Sequence, residues 1–185
     1  TLLLKELREA LDGQGEQDGR HYALSIAAGA DQYFLDGTEM AEVEKYLDWI
    51  LLMTYDLRGG FQTLTGHHTN LFTPTGDLFR ISADAAVRMF GEAGVPKEKP
   101  VIGSAFYSRM VAEYINKKGF VRHWDAEAQA PYLFNGSTFI SYDDPQSLAA
   151  KCAYVKEQNL KGIMFWEYSC DRTGNLLEAL HQELQ

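Results

Sequence analysis

Cysteine is scarce in this chain: Cys152 and Cys170 are the only two in 185 residues, too few for a disulfide scaffold. Both read as free, buried thiols. Long apolar runs are lacking too. None approaches the ~18 residues a membrane span needs, so no membrane partner is read. Basic residues are outnumbered, 17 Lys and Arg against 26 Asp and Glu, leaving a net charge of −9. That excludes nucleic acid as a partner, because phosphate binding needs clustered cations, and it favours a neutral ligand over a polyanion. No low-complexity tract and no short-period repeat is present. The opening residues show no basic n-region followed by an apolar h-region, so no targeting address is read from them. The glycine cluster GQGEQDG at 13–19 follows a helix, not a strand, and lacks G-x-G-x-x-G spacing, which excludes a phosphate or dinucleotide cradle. His67 and His68 are adjacent and do not aim two imidazoles at one ion. They read as loop-structuring residues, and neither metal nor cofactor is expected.

What is present is ordinary globular composition, 45% hydrophobic and 23% charged, in a chain long enough for one core. Apolar periodicity predicts helices over 1–12, 36–48, 82–95, 145–159 and 173–184. Thr38 and Ser82 are the expected N-caps, and Pro145 opens its helix. Short apolar runs predict strands over 22–30, 49–56, 99–109 and 161–169. Residues 57–80 read as a loop and 110–144 as irregular. Glu39, Glu42 and Glu44 read as a solvated face, and Asp143 and Asp144 as helix-capping carboxylates before Pro145.

Alternating strands and helices mean a parallel sheet with helical cover. Four strands barely suffice for a doubly wound sheet. They are also half of an eight-stranded barrel, and the length is roughly half to three quarters of the ~250 residues such a barrel takes. In both architectures chemistry gathers at the carboxyl ends of the strands. Those ends read Tyr55 and Asp56, then Phe106 and Tyr107, then Trp166, Glu167 and Tyr168. Aromatic faces stack on the C–H faces of sugar rings, and carboxylates accept hydrogen bonds from sugar hydroxyls. The combination suits a neutral carbohydrate.

The segments MTYD at 53–56, GHH at 66–68, KPVIGSAFYSR at 99–109 and KGIMFWEYSCD at 161–171 together resemble glycoside hydrolase family 18, the chitinases. The resemblance implies a (β/α)8 TIM barrel of which residues 1–185 supply the second half, strands five to eight. Residues 110–144 would be the short insertion between the seventh strand and its helix. It implies a secreted hydrolase of β-1,4-linked N-acetylglucosamine polymers, with chitin or its oligosaccharides as partner. By resemblance Tyr55 and Asp56 are catalytic, and Met53, Phe61, Tyr107, Arg109 and Trp166 bind substrate. The family's general acid is the last residue of D-x-x-D-x-D-x-E, a motif absent from this sequence, so the chain is expected to be inactive alone. It is also expected to self-associate or to pair with the missing N-terminal half. Ser108 and Cys170 stand where the family pattern has Gly, and Phe61 where it often has Trp. A non-catalytic chitinase-like lectin and a peptidoglycan-directed glycosidase are the alternative readings, the latter fitting FWEYS less well.

Overall fold

The structure, a computed structural model, describes residues 1–60, 62–107, 111 and 113–185. Four parallel strands form an open sheet: β1 (Ser25–Gly29), β2 (Trp49–Met53), β3 (Pro100–Ala105) and β7 (Gly162–Trp166), in that spatial order. Register runs Ile26↔Ile50, Leu51↔Val101 and Ser104↔Phe165. The sheet does not close on itself: β1 and β7 are its edges. Helical cover comes from α1 (Leu2–Asp18), α2 (Gln32–Asp36), α3 (Met40–Val43), α4 (Ala83–Glu92), α5 (Pro145–Glu157) and α6 (Asn175–Leu184).

The expected caps hold where they are local. Ser82 accepts from Ala85 N–H at 3.1 Å and opens α4. Asp144 and Ser147 form a capping box around Pro145 at the start of α5. Two helices differ from expectation. The glycine cluster does not break α1, which runs through Gly13 and Gly15 to Asp18. A Cβ on Gly15 would lie 2.4 Å from the Arg20 carbonyl oxygen, so the returning chain needs that glycine inside the helix. The stop is Gly19, at φ 66°, in the left-handed conformation that glycine adopts at no steric cost. The helix expected over 36–48 is instead α3 and a 3-10 turn at Glu44–Tyr46, with Glu39 rather than Thr38 at the N-cap position and no side-chain cap bond. Glu44 is not simply solvated: it pairs with Lys99 at 2.7 Å.

The region expected to be irregular holds a three-stranded antiparallel sheet of β4 (Val121–Asp125), β5 (Ala130–Phe134) and β6 (Phe139–Ser141). Asn135 closes one hairpin, its side chain accepting from the N–H groups of Ser137 and Thr138. Asn135 and Gly136 open the four-residue connection 135–138, with Gly136 at φ 97° in a conformation that favours glycine.

Ile50, Leu52 and Phe90, all fully buried, centre the apolar core between β2, α3 and α4. A second group joins Phe106 to Leu148, Cys152 and Leu180 beneath α5 and α6. Cys152 is a free, buried thiol as expected, whereas the free Cys170 is only half-buried.

One ion pair lies wholly inside this packing. Lys151 and Asp143 are both fully buried, with Nζ 2.7 and 2.9 Å from the two carboxylate oxygens. Asp143 also accepts from Ala105 N–H at 2.9 Å, Thr69 Oγ1 at 2.8 Å and Ser147 Oγ at 2.7 Å. Burial opposes its ionisation, but the adjacent Lys151 charge and these donors hold the carboxyl below its ordinary range. Asp143 is therefore a buried anchor rather than the capping residue the sequence implied. Replacing Lys151 with Met removes this buried positive charge from beside the carboxylate. Urea unfolding of Lys151→Met is expected to show a loss of about 3–5 kcal/mol; a loss below about 1 kcal/mol would mean that the pair adds little.

Candidate functional site

The site begins where β2 stops. Thr54, fully buried, donates its hydroxyl to the Gly103 carbonyl at 2.9 Å and accepts from Gly103 N–H at 2.8 Å. These two bonds carry the β2–β3 connection one step past the ladder and turn the next residues outward. Gly103 also makes room for Tyr55. A Cβ there would lie 2.7 Å from Tyr55 Cε1 and 2.8 Å from the Leu52 carbonyl oxygen. Tyr55 thus lies across β3 and donates its hydroxyl to Met164 Sδ on β7 at 3.8 Å.

Asp56 takes the left-handed conformation at φ 54°, uncommon for a residue with a Cβ. Its carboxylate, 74% exposed, accepts from Tyr107 Oη at 2.7 Å. Its N–H donates to His68 Nδ1 at 3.4 Å. Burial holds His68 below its ordinary value against the opposing charge of Asp143, so the imidazole is neutral and Nδ1 is free to accept. Tyr107 packs edge-to-face against Tyr55 at 6.1 Å and beside His68 at 5.6 Å. Burial, then the Asp56 carboxylate, pushes both phenols above their ordinary value. Tyr55 and Tyr107 are therefore hydroxyl donors at neutral pH, one of them already committed to Asp56.

Trp166 ends β7 with 58% of its surface exposed, and Met53 ends β2 with 37% exposed. The Trp166 carbonyl accepts from Phe106 N–H at 2.7 Å, which places the indole's strand directly beside the segment that carries Tyr107. A cavity of about 510 Å³ opens at Asp56, His68 and Tyr107 and extends along residues 59–60 and 62–66. Of the residues named from sequence, the structure joins Tyr55, Asp56 and Tyr107 by direct contact and puts Met53 and Trp166 at the ends of two strands, β2 and β7, that flank β3. Phe61 and Arg109 lie outside the described residues. His68, a loop-structuring residue by sequence and part of the GHH segment at 66–68, bonds the Asp56 N–H; its place twelve residues after Asp56 gives no signal of that contact. Thr54 and Gly103 were also passed over, although a glycine inside an apolar strand marks close approach.

The arrangement defines a parallel α/β chain with paired phenols, a carboxylate and an exposed indole at its strand ends. The sequence matches the family model described as glycosyl hydrolases family 18 over residues 1–171. The chain belongs to that family. It is 36% identical to Chitinase A1 of Niallia circulans, covering 100% of this chain and 32% of that protein. It is 31% identical to Chitinase 1 of Aphanocladium album, covering 100% and 51%. This chain therefore spans between about a third and half the length of those relatives. Among solved structures, a family 18 N-acetylglucosaminidase from Paenibacillus barengoltzii is 62% identical at a TM-score of 0.96, covering 99% of this chain and 62% of that one. A class V chitinase variant from Nicotiana tobaccum, solved in complex with NAG4, is 25% identical at a TM-score of 0.89, covering 99% and 62%.

The tight fit at Gly103 is directly testable. Gly103→Ala puts a methyl group into Tyr55 and the β2 backbone. It is expected to cost about 1–3 kcal/mol in denaturant unfolding and to change the near-ultraviolet circular dichroism of the tyrosines. Native values in both would show that Tyr55 does not pack on this strand.

Proposed function

We infer that the chain is part of a chitinase-type glycoside hydrolase that cleaves β-1,4-linked N-acetylglucosamine polymers by a substrate-assisted, retaining mechanism. The observation that carries this reading is the contact set Tyr55–Tyr107–Asp56: two phenols kept protonated beside an exposed carboxylate at the strand ends. Family 18 departs from the two-carboxylate rule. An acid protonates the glycosidic oxygen, and the substrate's 2-acetamido carbonyl oxygen attacks the anomeric carbon to give an oxazolinium ion. Holding the acetamido group in line is an orientation effect. Tyr55, exchanging its long contact with Met164 Sδ, donates a hydrogen bond to the acetamido oxygen and keeps its proton. Asp56, oriented by Tyr107 and His68, bonds the sugar. Trp166, with Met53 beside it, forms the apolar floor. Phe61 and Arg109 keep the substrate-binding roles implied by the family resemblance.

D-x-x-D-x-D-x-E does not occur in the 185 residues. On this reading the proton donor comes from outside them, and the chain alone positions substrate without turning it over. β1, β2, β3 and β7 then correspond to strands five to eight of a (β/α)8 barrel. Residues 110–144, with their antiparallel sheet, are the insertion between the seventh strand and α5. Extracellular placement follows from the same kinship: a Paenibacillus relative, ChiW, 41% identical, is described as cell-surface-expressed.

Calorimetry with N-acetylglucosamine oligomers tests the positioning half-site. The native chain is expected to bind, and Trp166→Ala to bind at least about tenfold more weakly, a loss of about 1.4 kcal/mol. No binding by the native chain removes the reading. The open edges at β1 and β7 present unpaired backbone groups, so light scattering is expected to give a mass above one chain. A monodisperse single-chain mass would rule out self-association.

A further inference from the structure

Asp56 meets His68 twice. Its N–H donates to His68 Nδ1 at 3.4 Å, and its carboxylate Oδ1 lies 3.8 Å from the same nitrogen. A neutral imidazole with a bare Nδ1 accepts from the N–H and offers nothing to the carboxylate. A protonated imidazole carries hydrogen on both nitrogens. It can no longer accept, and it attracts the carboxylate. The charge on one ring therefore selects between two groups of one residue. Oδ1 is also the oxygen that accepts from Tyr107 Oη at 2.7 Å. Any pull of Oδ1 towards His68 competes with that bond.

The two partners differ in their freedom to move. The His68 side chain is 13% exposed and the Asp56 side chain 74%. His68 N–H donates to Ser141 Oγ at 3.1 Å, and the next residue, Thr69, is bonded to Asp143 and Lys151. The Tyr107 ring packs beside the imidazole at 5.6 Å. The imidazole is thus held in place, and the exposed carboxylate is the partner that turns. Besides Tyr107, four charged or titratable groups act on the ring. Asp56 past the end of β2 and the buried Asp143 favour a proton on it, whereas Lys151 of α5 and the adjacent His67 oppose one. Asp143 and Lys151 are fixed against each other, which leaves Asp56 as the group whose position responds. Burial, the largest influence, keeps the ring neutral near pH 7 and moves its protonation below the ordinary value of 6.5.

We propose that His68 is a positioning residue whose charge sets the Asp56 carboxylate. Neutral, it fixes the Asp56 backbone and leaves Oδ1 on Tyr107. Protonated, it draws Oδ1 off Tyr107 and onto the Nδ1 hydrogen, and the carboxylate loses the orientation in which it bonds the sugar. Glycan binding then weakens on acidification below about pH 6.5. The proposal rests on the glycan reading of the Asp56 site and adds a pH switch to it.

The full chain is titrated calorimetrically with the N-acetylglucosamine tetramer between about pH 7.5 and about pH 5, a range that spans the histidine titration. Circular dichroism at each pH confirms the fold. Native affinity is expected to fall at least about fivefold across that range. His68→Asn keeps an amide oxygen that can accept from the Asp56 N–H and has nothing to titrate, so its affinity should change by less than about twofold. A flat native affinity, or a fall that persists in His68→Asn, overturns the switch. In the ligand-free chain, proton NMR follows the Cε1 hydrogen of His68, assigned by its loss in His68→Asn. Asp56→Asn removes the carboxylate that pairs with the protonated ring, so the midpoint is expected to drop by at least about half a pH unit. An unchanged midpoint in a chain that still binds the tetramer overturns the switch alone. Absence of tetramer binding at every pH overturns the glycan reading and, with it, the proposal.

Discussion

A buried lysine–carboxylate pair holds the site side of this molecule in register. Taking two charges out of water costs several kcal/mol per ion, and only close pairing with further hydrogen bonds offsets it. Lys151 and Asp143 meet that condition at full burial, with Thr69, Ser147 and Ala105 among the groups bonded to the pair. Three of these residues lie close in the chain to residues of the candidate site or their supports. Thr69 follows His68, Ala105 comes two residues before Tyr107, and Asp143 lies two residues past Ser141, whose hydroxyl accepts from His68 N–H. The geometry of Asp56, Tyr107 and His68 is thus supported from below by the pair of Asp143 with Lys151 of α5, in addition to the Thr54–Gly103 bonds at the end of the β2–β3 ladder.

Above that anchor the site divides by solvent. Tyr55 and Tyr107 are half-buried and stay protonated, while Asp56 and Trp166 face water. Fixed neutral donors beside an exposed carboxylate and indole suit a ligand that is uncharged, hydroxyl-rich and apolar on its ring faces. Such a ligand gains from donors already oriented, because little side-chain freedom is lost on binding. The net charge of −9 does not oppose it.

The parts legible in the sequence are those fixed by neighbours in the chain. The strand–helix alternation, the Ser82 cap and the Pro145 helix start depend on a few consecutive residues, and all hold. Tyr55, Asp56 and Tyr107 were legible as strand-end chemistry, but their mutual contacts depend on Gly103 and Thr54, which act across strands. The glycines in α1 misled because only the returning Arg20 carbonyl explains Gly15. The antiparallel sheet was missed although Asn135-Gly136 is a hairpin signal, because its strands mix polar and aromatic residues without clean alternation. Lys151 left a trace: it sits among Leu148, Cys152 and Val155 on the apolar face of α5. A lysine in that stripe demands a buried partner, but the sequence does not say which acid supplies it.

The 57–80 loop brings these levels together. Loops longer than about 12–15 residues without secondary structure are uncommon in compact domains and are usually functional or disordered. This one is held by polar cross-links. Leu57 N–H donates to the His68 carbonyl at 3.0 Å, Arg58 pairs with Asp77, and Asn70 donates to the Phe72 and Ile81 carbonyls. Leu71 and Phe72 N–H both donate to the Ala128 carbonyl, tying the loop to the β4–β5 turn. An apolar plug would fill the space these side chains leave. Polar cross-links instead keep the Asp56 cavity open and its walls in place. A rigid loop of this kind, rooted at Asp56 and fastened to a separate sheet, presents a ligand with a preformed surface. Through Thr69 and His68 that fastening links the buried anchor to the walls of the Asp56 cavity.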